Sequence, residues 1–473
     1  MTVLETAEKC LPPGLRERLS PVTAQLAAAF RNDDDTARAS RMALTAFAIR
    51  VASAGIAFLS QIVQARLMGE FEYGIFVFVW VMVVLFGNLS CLGFHSAIIR
   101  FLPQYSVLNA HSEIRGLTLT ARVFAMASAT LLALAGFAGL YLFRDHVESF
   151  YFLPLFLGLV TLPMIALGDV LDGTARANSW ALSSFSPTYI VRPALILVLM
   201  LLAVRSGLPA TATTAMQAAL VATYVTTLGQ FASITWRMRR RYRRGPLIVD
   251  FPAWFKVALP IFLIEGFGFL LTNADVVVVG LYLPPDQVGI YFAAAKTMAL
   301  VQFVYFSVKA AAGPRFSAMM AAGDPRALAA FAGRTARWSF WPSLGLGLAV
   351  LAAGSWLLSL FGPAFTAGYG LMAILFAGML AKAMVGPGEA LLTMAGRQKL
   401  CALLYAGVLA ANIGLNILLI PLYGLTGAAL AVAAATALEA LLLHLAVRKT
   451  LGIVLFVFAD PLKRLDKAKA AQP

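Results

Sequence analysis

Between Leu259 and Phe303 the sequence runs LPIFLIEGFGFLLTNADVVVVGLYLPPDQVGIYFAAAKTMALVQF, and within this apolar stretch stand Glu265, Asp275 and Lys296. A charged side chain at bilayer depth is costly unless it meets a partner or a water-filled cavity, so these three are the first candidates for chemistry. Glu265 is placed to titrate. Asp275 and Lys296 lie equally far from the centre of the Pro284-Pro285-Asp286-Gln287 turn. An antiparallel hairpin therefore puts them at one depth, and the expectation is that they pair with each other as a structural clamp. Further along, Lys382 and Glu389 are seven residues apart, close to two helical turns, and share a face. Gly386-Pro387-Gly388 between them should break or kink the helix, freeing backbone carbonyls that are tolerated only beside protein or water. Arg192, just before Pro193, and Asp169 complete the set. His95 and His111 read as connector residues and His444 as a helix-end residue, none with metal-ligand company. Cys10, Cys91 and Cys401 have no metal-ligand spacing, and no metal or cofactor is expected.

The elements that must position these residues follow from composition. Apolar residues make up 60% of 473 positions and charged residues 12%, and mean hydropathy is +0.82, which defines an all-α polytopic membrane protein. A net charge of +15 raises the question of nucleic acid, but the basic residues sit in short segments between apolar runs, where they act as topology signals. Apolar runs at 42–67, 74–95, 116–142, 150–171, 180–204, 210–236, 254–281, 288–311, 332–360, 368–394, 400–420 and 425–447 predict about twelve spans. Leu451–Ala459 is too short to cross and is expected at the interface. Lys and Arg concentrate in alternate connectors, above all in the run Arg237-Met238-Arg239-Arg240-Arg241-Tyr242-Arg243-Arg244. The positive-inside rule then places both termini in the cytoplasm. Residues 1–41 lack the apolar core of a secretory signal. There, Leu11, Leu15, Leu19, Val22 and Leu26 recur at helical spacing, as in a helix lying on the membrane surface or a poorly ordered tail. The division expected is an N-terminal segment to 41, a first six-helix lobe at 42–236, a basic linker at 237–253, a second lobe at 254–448 and a basic tail at 449–473.

The two halves repeat. Tyr73-Gly74-Ile75-Phe76 and Val288-Gly289-Ile290-Tyr291 are offset by 215 residues, and the same offset carries Arg100-Phe101 onto Arg315-Phe316 and Ala121-Arg122 onto Ala336-Arg337. Ala175-Arg176 matches Gly396-Arg397 at an offset of 221. A duplicated six-helix unit that begins and ends on one side yields two pseudo-symmetric lobes related by an axis along the membrane normal. Asn273-Ala274-Asp275-Val276-Val277-Val278-Val279-Gly280, VGIYFAAAK, LFGPAF at 360–365 and ANIGLNILLIPLYGLTGAAL from Ala411 to Leu430 resemble Wzx-type polysaccharide flippases of the multidrug/oligosaccharidyl-lipid/polysaccharide exporter superfamily. That resemblance implies two lobes around a central cavity open alternately to each side of a bacterial cytoplasmic membrane. It also implies a polyprenyl-diphosphate-linked oligosaccharide as substrate and glycan polymerase and chain-length proteins as partners. The 215 offset carries Arg50 onto Glu265. If the equivalent helices face the axis, these two line the cavity, with the Arg50 guanidinium available to a diphosphate, or else form an inter-lobe ion pair. No Walker-type phosphate loop is present. The competing readings are a cation-coupled multidrug exporter of the same superfamily and, less well supported by the short outer connectors, a membrane glycosyltransferase or polymerase.

Overall fold

The computed structural model describes residues 35–242 and 245–460, apart from the side chains of 35–48, 50, 51, 264 and 321. The Leu11–Leu26 helix and the basic tail expected from the sequence lie outside the described residues. Among the described residues the regular structure is helical, with these α-helices: α1 (Asp35–Ser90), α2 (Phe94–Val107), α3 (His111–Leu142), α4 (Ser149–Ala177), α5 (Ala181–Ser186), α6 (Arg192–Arg205), α7 (Ala212–Arg241), α8 (Phe251–Tyr282), α9 (Pro285–Ala322), α10 (Pro325–Ala352), α11 (Gly354–Ser359), α12 (Tyr369–Val385), α13 (Gly388–Met394) and α14 (Gln398–Leu451).

Nine of the described helical stretches are long and apolar enough to cross a bilayer. Two of them are double spans, because α1 bends sharply at Gly69 (φ 76°, ψ 173°) and α14 at Gly424 (φ 57°, ψ −134°), conformations open to a residue without Cβ. With α10, whose 28 residues are long enough to cross although more polar, the described residues hold twelve spans in two lobes of six. Helix starts follow local chemistry. Thr211, Asp250 and Asp324 each accept backbone N–H bonds from the first turn of α7, α8 and α10, and α9 and α10 begin on proline.

The repeat motif is where the lobes meet. At Gly74 a Cβ would sit 1.6 Å from the Pro285 carbonyl oxygen, and at Gly289 it would sit 2.7 Å from that of Glu70. Residues 70 and 285 are themselves related by the 215 offset. Each lobe thus offers the same glycine to the same point of the other, the reciprocal contact that a two-fold axis creates. Around it pack Tyr73 with Phe292 and Phe365 at ring separations of 6.2 and 5.9 Å, and Phe58 with Phe361 at 5.6 Å. Arg66 adds hydrogen bonds to the carbonyls of Leu360 (2.5 Å) and Ser359 (3.1 Å). At the opposite end of the bundle, where the arginines concentrate, the first turns of α8 lie on the first lobe. Trp254 is fully buried there among Phe94, Ile98 and Leu117, and its indole N–H donates to the Tyr105 hydroxyl at 3.0 Å. Residues 245–250 run along the start of α3, with the Ile248 N–H bonded to the Ser112 carbonyl at 3.4 Å.

The terminal stretch from Leu451, expected to be too short to cross, is folded against the second lobe. Ile453, Leu455 and Val457 alternate inward and are buried, and the Val457 N–H donates to the Met384 carbonyl at 2.9 Å. That carbonyl is one of those freed where α12 stops at Gly386-Pro387, so the segment answers a hydrogen-bonding need that the break creates.

Candidate functional site: a charged cavity in the second lobe

A cavity of about 330 Å³ opens between α8, α9, α12, α13 and α14, and its wall carries Asp275, Lys296, Lys309, Lys382, Glu389 and Glu439. Three carboxylates thus face three lysines. The helix break makes this possible: α12 ends after presenting Lys382, the chain turns through Gly386 (φ 70°), and α13 restarts with Glu389 in its first turn. Lys382 and Glu389 share the cavity as their spacing predicts, but each has a different partner. Lys382 Nζ lies 2.7 Å from Glu439 Oε1 on α14, and Glu389 is hydrogen-bonded to Lys309 on α9. The Lys382 ammonium also stands 5.2 Å from the centre of the Tyr305 ring.

Asp275 and Lys296 both reach this cavity, yet the direct ion pair expected for them does not form among the described residues. The Asp275 carboxylate accepts a hydrogen bond from the Tyr291 hydroxyl at 2.8 Å, while its other oxygen is buried and meets no further side-chain donor among the described residues. Lys296 rests over the Phe292 ring at 5.0 Å. Tyr291 and Phe292, less than two turns from Lys296 on α9, are the groups that the two charges contact, while the charges still attract each other at longer range. Equal depth in a hairpin fixes height but not the rotation of each helix, so the spacing alone does not bring the two charges into contact.

Glu265, expected to line a cavity between the lobes, lies outside this second-lobe cavity. It is half exposed at the boundary between the lobes, where it accepts from the Ser96 hydroxyl at 2.5 Å and stands 3.3 Å from His95 Nε2. His95 is therefore a cross-lobe partner on α2 and not a connector residue; nothing in its sequence surroundings marks that role. The side chain of Arg50 lies outside the described residues. Arg192 belongs to a separate buried network of the first lobe. It follows a π-helical turn at Pro187–Val191 and stands close enough to Asp169 and Asp172 for electrostatic attraction. Asp169 accepts from Asn88 at 2.8 Å, and Asp172 from Gln230 at 2.6 Å and Thr188 at 2.8 Å. Lys309 and Glu439 escape a reading centred on the hairpin. The signal is present all the same, since each is an isolated charge in a small apolar run, SVKAAAG and ATALEALLL.

Sequence comparison places this geometry. Residues 41–320 match the profile of a family described as polysaccharide biosynthesis protein. The chain belongs to that family. No curated protein matches it in sequence. Among solved structures, this member of the polysaccharide biosynthesis family is similar to an inward-facing multidrug-resistance MATE transporter of the MOP superfamily (14% identity, TM-score 0.68, covering 87% of this chain and 98% of that one). It is equally similar to the lipid II flippase MurJ in an inward closed conformation (14%, TM-score 0.67, 86% and 87%). A MOP-superfamily transporter from Pyrococcus furiosus, described as having a binding pocket of reversed polarity, matches at 15% with TM-score 0.62 over 90% and 97%. At these identities the likeness establishes the fold, that of a multi-pass membrane protein with two six-helix lobes.

Proposed function

We propose that this protein is a flippase that moves a polyprenyl-diphosphate-linked oligosaccharide from the cytoplasmic to the outer leaflet of a bacterial cytoplasmic membrane. Both termini are cytoplasmic in this reading, and the chain works as a carrier and not as an enzyme. The observation that carries the proposal is the family match over residues 41–320, in a chain with the two-lobed MOP fold. The site supports it. A carrier for cationic drugs is served best by uncompensated carboxylates, whereas Lys296, Lys309 and Lys382 balance Asp275, Glu389 and Glu439 here. In the proposed cycle the lobes part and close about the Gly74–Gly289 contact, with the substrate between them. Lys296, the lysine without a carboxylate in ion-pair range among the described residues, serves the diphosphate or the coupling step. Arg50, Glu265 and Arg192 are assigned to the path between the lobes or to the coupling of their movement. The lobe boundaries proposed are those of the sequence, 42–236 and 254–448, with the polymerase and chain-length proteins receiving the product.

The test is export in a strain lacking the protein. Loss of surface polymer, with lipid-linked repeat units accumulating on the inner leaflet and restored by the wild-type chain, is the expected result. Unchanged polymer together with new sensitivity to cationic dyes would instead establish the drug-exporter reading.

A further inference from the structure

The outer face of α7 carries a feature that transport between the lobes does not use. Val221, Val225, Leu228 and Trp236 fall on one side of the helix, and each is roughly half exposed. The helix packs on α1, α4, α5 and α6, all of the first lobe, so this stripe faces away from the second lobe and towards lipid. At its basic end the stripe runs into an open recess of about 340 Å³ lined by Trp180, Trp236, Arg237, Arg240 and Arg241. The guanidiniums are held on aromatic rings: Arg240 at 3.9 Å from the Trp236 ring centre, Arg237 at 5.5 Å from that of Trp180, and Arg241 at 5.8 Å from that of Tyr242. No carboxylate lies in ion-pair range of any of the three among the described residues.

Arginines at the end of a spanning helix are expected as topology signals and as complements to the helix dipole. Neither role calls for guanidiniums gathered on aromatic rings or for Trp180, which arrives from the corner between α4 and α5. We propose that this recess binds the headgroup of an anionic phospholipid such as phosphatidylglycerol. Its phosphate sits among the guanidiniums and its acyl chains lie along the Val221–Leu228 stripe. Charge complementarity selects the headgroup. Continuity with an apolar stripe selects a bilayer lipid over a soluble anion, and the outward position selects a resident phospholipid over the transported substrate.

The experiment counts lipids bound to the purified full chain in neutral detergent by native mass spectrometry, titrating phosphatidylglycerol against phosphatidylcholine. The wild-type chain should retain phosphatidylglycerol selectively. Arg237→Gln/Arg240→Gln/Arg241→Gln should weaken that retention by about a hundred-fold, one order of magnitude or less for each cation removed. Because loss of three arginines can disturb topology, Trp180→Ala/Trp236→Ala supplies a second variant with the charge intact, expected to bind about ten-fold more weakly. Equal retention of the two lipids, or unchanged retention in both variants, would overturn the proposal. So would displacement of the bound lipid by inorganic phosphate, the mark of a simple anion site, or by stoichiometric polyprenyl diphosphate, the mark of a substrate site.

Discussion

Lys382 and Glu439 meet at 2.7 Å inside the second lobe, on helices that are otherwise apolar over most of their length. Burying two charges costs so much solvation that the pair adds little to stability by itself, yet removing one partner strands the other. Lys382→Met should therefore destabilise the protein by about 3–5 kcal/mol, and Lys382→Met/Glu439→Leu should regain most of that loss in thermal unfolding. If the pair serves transport, the double variant folds and exports poorly; wild-type export from it would make the pair structural. Asp275 yields a subtler case. Asp275→Asn keeps an acceptor for the Tyr291 hydroxyl at little cost in stability while removing a charge from the cavity wall. Export that falls at unchanged protein level is the expected result, and unchanged export would take Asp275 out of the site. At this scale the sequence showed which positions are charged but not which partner each would choose. Partner choice depends on helix rotation and on aromatic neighbours such as Tyr291, which periodicity along one helix does not encode.

Helices were the most legible level, since about twelve apolar runs became spans and the repeat offset disclosed two lobes, although the residues it suggested as facing each other across the axis were Arg50 and Glu265 and not Gly74 and Gly289. What the apolar pattern concealed was backbone detail: that the two spans of α1, and the two of α14, join through a bend at a single glycine, and that Ile453–Val457 folds inward. The latter could be reasoned only from the break at Gly386, which leaves the Met384 carbonyl in need of a donor. Val457→Pro removes that donor and should lower stability by about 1–3 kcal/mol in thermal unfolding. Val457→Ala, which keeps the N–H, should lose only the smaller packing contribution. Gly74 and Gly289 allow a sharper statement. A methyl group at Gly74 would overlap the Pro285 carbonyl, which belongs to the backbone and cannot swing aside. Gly74→Ala should bias the lobes apart at that end. A cysteine placed at Phe361, fully buried in the parent, should then react with a maleimide at least about ten-fold faster. Equal labelling rates would mean that the glycine contact does not control the closed end.

The whole molecule carries a strong polarity, with its arginines gathered at one end and a net charge of +15 in the full chain. In the proposed orientation that end faces the cytoplasm, and the diphosphate of the proposed substrate, carrying about two negative charges, would leave an inside-negative cell. Each charge gains about 2.3 kcal/mol per 100 mV, so the potential can bias the step by roughly 4–5 kcal/mol, provided the carrier's own charges stay in place. The charge-balanced cavity fits that proviso, because lysines and carboxylates paired within one lobe move together and contribute little net charge to the transition. Substrate translocation into vesicles of defined potential should therefore accelerate with voltage as expected for about two charges, and collapse of the potential at constant pH gradient should slow it. A dependence on the pH gradient alone, with none on voltage, would indicate that protons compensate the diphosphate, and Asp275, a carboxylate on the cavity wall with no ion pair among the described residues, would then be the first residue to examine.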